Sequence, residues 1–348
     1  MPALFEKRAR MIPASSQHSH PATGSHTAGV ITDPAELLDA LDLPADLLPA
    51  ARRAAQRFGL RVPRHFVARM RPGDVADPLL RQVLPLDAEL ERTAGFDGDP
   101  VGDLASSRSP GLLQKYAGRA LLVSTGACDV HCRFCFRREF PYDQQLATGA
   151  RLEAALAEVA ADPDIGEVIL SGGDPLVLSP RRLRAIVTSI AAIPHVERLR
   201  VHTRQPIVAP EQVGGDLLEA FAGARPGLVM VVHANHPREV DADVSRALGR
   251  CAVRGFTLLN QTVLLRGVND DIATLAALSE RLFACGVLPY YLHQLDRVSG
   301  AAHFAVPDPE ALRLHAALLE RLPGYLVPRL VREVAGAKSK TPVSGRAR

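Results

Sequence analysis

The chain has 348 residues, 47% of them hydrophobic with a mean hydropathy of +0.03, enough for one large folded unit and a smaller one. A net charge of +3 and a pI near 8.7 are too mild to argue for a nucleic-acid or anionic-membrane partner. No apolar run is long enough to span a bilayer, the N-terminus lacks the apolar core of a secretion signal, and five cysteines with three clustered argue against a disulfide framework, so the expected location is the cytoplasm.

Residues 1–29 are rich in Ser, His, Pro and Thr without apolar periodicity and read as a disordered tail. His18, His20 and His26 suggest a metal tract, but polar tails collect histidines without binding anything. Order begins at Asp33-Pro34, an acidic N-cap followed by Pro at the first helical position and the leucine stripe Leu37, Leu38 and Leu41. Further short helices, including Leu79–Gln82, complete a small helical domain over residues 30–109. From Gly118 the pattern becomes strand and helix in alternation. Apolar runs at 119–124, 167–170, 197–202, 227–233, 256–264 and 287–292 are separated by amphipathic stretches at 151–160, 179–191, 214–222, 240–253 and 271–284. This is α/β patterning with parallel βαβ units. Six repeats are too few for an eight-fold barrel. The expected fold is a partial (β/α)6 TIM-type barrel over residues 110–305, its open side filled by the terminal segments, with 306–348 as a C-terminal segment.

Directly after the first run, Cys128, Cys132 and Cys135 are spaced C-x3-C-x2-C with Phe134 before the last. A four-iron cluster takes four thiolates, so a loop offering three leaves one iron open. A zinc site completed by His131 is the plainer alternative. Against zinc, no second Cys/His pair lies at finger-like distance, and the loop follows the buried-strand pattern Ala120-Leu121-Leu122-Val123-Ser124. A cysteine loop at the carboxyl end of a parallel strand sits where barrel enzymes keep their chemistry.

The later strand exits also carry polar residues that a turn does not need. They are Ser171-Gly172-Gly173-Asp174-Pro175, His202-Thr203-Arg204-Gln205, His233-Ala234-Asn235-His236, Asn260-Gln261 and Tyr290-Tyr291-Leu292-His293-Gln294-Leu295-Asp296. Two glycines permit close backbone approach to a ligand, and Asp174 offers an acceptor for an ammonium group. An ordinary Gly-Asp-Pro turn explains the same residues taken alone. Any single histidine is more often a core or loop residue. Five polar clusters at one rim are not explained by packing.

These segments resemble radical S-adenosylmethionine (SAM) enzymes through the cysteine loop, and lysine 2,3-aminomutases through Cys135-Phe136-Arg137-Arg138, Ser171–Leu176, His202-Thr203-Arg204, Leu264–Asp270 and Pro289–His293. The likeness covers roughly residues 33–342. Within that family the chain is similar to the short branch that β-lysylates elongation factor P, through Leu60–Arg64, Asp77–Leu84, Phe136–Tyr142 and Gly300–Phe304, and through an end just after Ser339-Lys340-Thr341-Pro342.

The resemblance implies a [4Fe–4S] cluster on Cys128, Cys132 and Cys135 whose open iron binds SAM, together with pyridoxal phosphate (PLP). Its chemistry moves the α-amino group of L-lysine to the β-carbon, with an external donor supplying the electron. No side-chain base can break the unactivated C–H bond at neutral pH, hence the cofactors. Lys340 matches the lysine that binds PLP covalently, with Lys338 as its competitor and the family's glycine run reduced to Gly336. Lys115 and Arg119 match basic positions for the PLP phosphate, although the family has arginine at the first, so Lys115 offers a point charge rather than a fork. Ser171, Gly172, Gly173, Asp174, His202, Arg204, His233, Asn235, Gln261 and Tyr290 are the remaining cofactor-binding positions. Arg137 matches the arginine for the lysine carboxylate, and Asp296 one of two acids for the ε-ammonium. The second acid is Glu333, one methylene longer than the family's aspartate. The implied product is (R)-β-lysine, with a lysyl-tRNA-synthetase-like ligase and elongation factor P as functional partners. Two alternatives remain, a catabolic or osmolyte-producing aminomutase and a non-catalytic zinc or iron–sulfur protein. Cys251 and Cys285 are expected to be packing residues.

Overall fold

The computed structural model describes residues 29–344. The expected tail, with His18, His20 and His26, therefore lies outside the described residues except for Gly29.

Six parallel strands form where the apolar runs stand: β1 (Arg119–Thr125), β2 (Glu167–Gly172), β3 (Arg198–Thr203), β4 (Gly227–Val232), β5 (Thr257–Val263) and β6 (Leu288–His293). They pair in sequence order, so all their carboxyl ends meet at one rim. Val168, Leu170, Val201, Met230 and Val232 are fully buried, as expected for a parallel sheet covered on both faces. The crossover helices are α1 (Ala150–Ala161), α2 (Pro180–Ala191), α3 (Gly215–Glu219), α4 (Ala242–Val253) and α5 (Ile272–Ala284). In α2, Leu183, Ile186, Val187 and Ile190 fall on one face at spacings of three and four and are buried against the sheet. Truncating one of them to alanine costs about 2–5 kcal/mol. Ser179, Asp241 and Asp271 cap α2, α4 and α5 by accepting from backbone N–H groups. Helix α3 is shorter than its pattern because the chain turns at Gly223, where φ is +69°.

Both terminal segments join the sheet. On one side, Ser107–Ser109 and Leu112–Tyr116 form a hairpin antiparallel to β1, which places Lys115 on a strand and opposes Tyr116 to Arg119. On the other, α6 (Asp308–Arg321) returns the chain to β7 (Arg329–Arg332), which pairs parallel with β6. The parallel set therefore has a seventh strand beyond the six expected. Only Leu330 and Val331 are buried in it, too short an apolar run to read. Thr341–Pro342 then pairs antiparallel with β7, giving ten strands in one sheet. This fixes Lys340 beside the barrel rim.

The N-terminal segment holds helices Pro34–Ala40, Leu48–Arg57 and Arg64–Val67, plus a short ribbon of Val30–Ile31 with Val62–Pro63. The expected helix at Leu79–Gln82 is a single 3-10 turn, Leu80–Gln82, pinned by Asp77 accepting from the N–H groups of Leu79 and Leu80. Its apolar core includes Val130, Val208 and Ala209 of the barrel, and Cys132 packs against it. The segment thus backs the cysteine loop. Among the described residues, no helix is long and apolar enough to cross a membrane.

Candidate active site

The cysteine loop leaves β1 and is fastened from behind by the N-terminal segment. The N–H of His131 donates to the Arg61 carbonyl at 2.8 Å, and the N–H of Arg133 to the Gln82 carbonyl at 2.9 Å. Arg133, with no exposure at all, forms a two-pronged ion pair with Glu89, which Arg138 also joins. Gly172 and Gly173 close the loop from the β2 side. A Cβ on Gly173 would stand 2.2 Å from the Ala127 carbonyl oxygen, and one on Gly172 2.4 Å from that of Thr125. These glycines therefore serve backbone-to-backbone packing as well as any approach to a ligand.

The zinc alternative fits poorly. His131 stacks on Phe58, and its Nδ1 meets the Gly59 carbonyl at 2.8 Å. Sulfur ligands of one zinc stand about 3.8 Å apart for bonds of about 2.3 Å. Among the described residues, the group with ligand atoms all within 4.8 Å of one another is His65, Asp241 and Asp243, not the three thiols. A cluster, whose cysteines each take a different iron, needs the wider spacing. Burial pushes the Cys135 thiol up to about 11 and Cys128 well above its ordinary value, and neighbouring thiolates add to both. Bound cationic iron would reverse that penalty.

At the strand exits, the Asp174 carboxylate accepts from the Thr203 hydroxyl at 2.7 Å and from the N–H groups of Leu176, Arg204 and Gln205. Its lone pairs are filled, so it ties β2 to β3 rather than waiting for an ammonium group. Arg204 donates from Nη1 to the Cys132 sulfur at 2.8 Å. Asn235 stands apart from the cavity lining. Its side chain donates to Gln82 Oε1 and accepts from the N–H of Val263. His202 and His233 pack edge to face, 6.0 Å between ring centres. Burial lowers His202 well below the ordinary value and His233 to about 4, so both are neutral imidazoles. His202 Nε2 and His293 Nε2 are buried without a partner among the described residues. Polar atoms of that kind on a cavity wall fit a ligand. Gln261 and Tyr290 complete this side.

The far side is an alternating chain of charge. Arg137 Nε donates to Asp103 Oδ2 at 2.6 Å, and Lys115 Nζ lies 2.7 Å from Asp103 Oδ1. Lys115 Nζ is also 3.8 Å from Glu333 Oε1, and Lys340 Nζ donates to Glu333 Oε2 at 2.8 Å. Tyr116 donates its hydroxyl to Glu333 Oε1 at 2.5 Å. Burial pushes Asp103 and Glu333 up, but their cationic partners outweigh it and hold both below ordinary values. Arg137 gives Nη1 to Ser171 at 3.0 Å, so two of its three nitrogens are engaged and the full fork expected for a carboxylate is partly taken. Arg119 lies over the Tyr116 ring, 4.6 Å away. Asp296 differs from every other acid here. No hydrogen bond or ion pair reaches its carboxylate among the described residues. It is half-buried on the cavity wall, and burial pushes it up to about 7, with Lys340 opposing.

One cavity is thus lined by the three cysteines, Lys340, Asp296, Glu333, Arg137 and every other expected site residue except Asn235. The radical SAM superfamily pattern matches residues 122–278, which begin in β1 and include the whole cysteine loop. Over 317 residues the chain is 49% identical to the L-lysine 2,3-aminomutase of Escherichia coli K12, covering 91% of this chain and 92% of that one. The chain belongs to the L-lysine 2,3-aminomutase family. The Haemophilus influenzae Rd L-lysine 2,3-aminomutase is 43% identical over 89% of this chain and 92% of its own, and that of Clostridium subterminale 34% over 80% and 67%. As a radical SAM aminomutase the chain is an enzyme of the isomerase class, and the superfamily implies a [4Fe–4S] cluster and SAM. Cys128, Cys132 and Cys135 are the ligands this structure offers that cluster.

Sequence reasoning passed over Asp103, Tyr116 and His293 as site residues. His293 stood in a quoted strand exit and carried a signal. Asp103 and Tyr116 carried none, since both precede the first barrel strand, Asp103 just before the 3-10 turn Leu104–Ser106 and Tyr116 in the added hairpin.

Proposed function

We propose that this aminomutase converts L-lysine to (R)-β-lysine in the cytoplasm with PLP as a second cofactor, and that the product serves β-lysylation of elongation factor P by a lysyl-tRNA-synthetase-like ligase. The observation that carries this reading is the shared cavity, in which a three-cysteine loop faces a lysine and an unpartnered, half-buried acid. When bound, the reduced cluster with SAM supplies a radical able to take hydrogen from an unactivated carbon, and PLP delocalises the unpaired electron while the amino group migrates.

The chain's own residues account for the rest. Lys340 is held at the rim by strand pairing on one side and Glu333 on the other, which suits it to bind the PLP aldehyde. Lys115 and Arg119 are the nearby cations for a phosphate group. Arg137 retains Nη2 for the lysine carboxylate while Asp103 and Ser171 fix its plane. Asp296 pairs with the ε-ammonium, which gives its half-buried, unpartnered carboxylate a counter-charge. Glu333 is released for that same ammonium when Lys340 is committed to the cofactor. The assignment to elongation factor P rests on the resemblance carried by Leu60–Arg64, Asp77–Leu84 and Gly300–Phe304.

The test is anaerobic incubation with L-lysine, PLP, SAM and dithionite as electron donor, followed by chiral analysis. (R)-β-lysine is the expected product, and its transfer to elongation factor P by the ligase should appear as a mass increase. The (S) product would remove the elongation-factor role, and no β-lysine at all would overturn the reaction.

A further inference from the structure

Arg204 is buried at the edge of the cavity, and its guanidinium touches Cys132, one of the three cysteines assigned to the cluster. Nη1 donates to the Cys132 sulfur at 2.8 Å. Nη2 donates to Gln82 Oε1 at 2.6 Å and to Glu239 Oε2 at 2.9 Å. Phe66 and Phe134 flank the group at 5.4 and 5.6 Å. Both terminal nitrogens are thus engaged, while Nε has no partner among the described residues. Asp174 fixes the Arg204 backbone. Glu239 is itself fixed, accepting through Oε1 from Gln82 Nε2 and from the N–H groups of Asn235 and His236. Gln82 belongs to the N-terminal segment, and Asn235 and Glu239 to the exit of β4. Three parts of the chain therefore converge to point one cation at one sulfur.

Hydrogen bonds and charge at the sulfurs are among the levers that set a cluster's reduction potential. On reduction a [4Fe–4S]2+ cluster takes one electron from an external low-potential donor and becomes [4Fe–4S]+, with no proton moved and no bond made or broken. The added negative charge spreads onto the thiolates. A guanidinium already donating to one of them stabilises the reduced form, and a carboxylate behind it offsets part of that effect. We propose that Arg204 is a positioning residue that raises the cluster's reduction potential through Cys132, with Glu239 setting the size of the effect and Gln82 its geometry. The inference rests on the cluster assignment above and adds a function to residues that contact the cluster only through its ligand.

The experiment is a mediated redox titration of the anaerobically reconstituted full chain, with the [4Fe–4S]+ spin signal as readout and iron per chain as control. Arg204→Gln should keep four irons while its midpoint falls. Arg204→Lys keeps the charge without the fork and should fall less. Glu239→Gln removes the offsetting charge and should raise the midpoint. Opposite signs in the Arg204 and Glu239 variants are the signature, because a merely structural role would move both the same way. Equal midpoints in all chains, or shifts of one sign, would overturn the inference while leaving the cluster assignment intact. Loss of iron from all three variants would show that the network holds the loop instead of tuning it, and would also overturn the inference. An unsubstituted chain that binds no four-iron cluster would overturn the assignment itself.

Discussion

The two ends of the cavity are built on different principles. At the cysteine end, backbone groups of the loop are tied to Arg61 and Gln82, Arg133 is clamped by Glu89, and two glycines lock the loop against β2. At the lysine end, side chains of opposite charge hold one another in a row from Arg137 to Lys340, and Asp296 has no partner. The backbone of the first end is held by fixed contacts within the protein. The second is a set of charges whose pairing changes when ligands arrive. A large, unstable cofactor such as an iron–sulfur cluster needs a fixed frame. A substrate that must bind and leave at every turnover needs groups that can exchange partners.

The sharpest way to break this contrast is at the cysteines. Alanine at Cys128, Cys132 or Cys135 should each abolish cluster iron and all lysine turnover, whereas Cys251→Ala and Cys285→Ser should keep both, since Cys251 is buried in α4 and Cys285 ends α5. Iron analysis decides this, and unchanged iron in Cys132→Ala would end the cluster assignment. Next comes Lys340→Ala, which should lose the covalent PLP absorbance and turnover while the iron signal stays. If Lys338→Ala loses that absorbance instead, the reading of the C-terminus is displaced by two residues.

Asp296→Asn should raise the KM for lysine by at least tenfold with iron and PLP intact. The pH dependence has a definite sign. The Asp296 carboxyl is pushed up to about 7, above its unfolded value of about 3.9, so the folded state holds the proton more tightly. Wild-type stability should fall as pH rises between those two values and then level off, a loss that Asp296→Asn should lack. Lysine needs the ionised form, so its binding to the wild type should tighten as pH rises through about 7. No helix begins at Asp296, the next element being the short turn Ala302–Phe304, so a lost helix cap does not enter the comparison. Paired thermal melts and lysine titrations from pH 5 to 8.5 measure both trends, and a pH-independent lysine affinity would remove Asp296 from the ammonium site.

The smallest expected effect on chemistry belongs to Glu89. Glu89→Ala leaves Arg133 and Arg138 without their shared acid and should cost about 3–5 kcal/mol of stability. Below the resulting lower midpoint, the intrinsic turnover of cluster-loaded enzyme should change little. A large loss of turnover in the folded, iron-replete variant would show that the frame also acts on the reaction.

The order of the six barrel strands and their crossover helices was legible in the amino-acid sequence because both depend on local periodicity. A parallel strand buried on two faces is a short apolar run, and a crossover helix is a stripe at spacings of three and four. The cysteine spacing was legible for a related reason, since one loop carries all three ligands. Resemblance to the aminomutases then pointed to Lys340, Arg137, Asp296 and Glu333, residues that no local pattern connects. Only the tertiary structure decided how these groups are partnered. Asp103 came to bridge Arg137 and Lys115, Glu333 to hold Lys340, and Asn235 and Asp174 to spend their hydrogen bonds on the protein itself. It also added β7, whose short apolar run means nothing until β6 lies beside it. The physical reason is range. Periodicity and ligand spacing act over a few residues, whereas a buried charge finds its partner wherever the closed fold brings one, here across 218 residues of chain from Lys115 to Glu333.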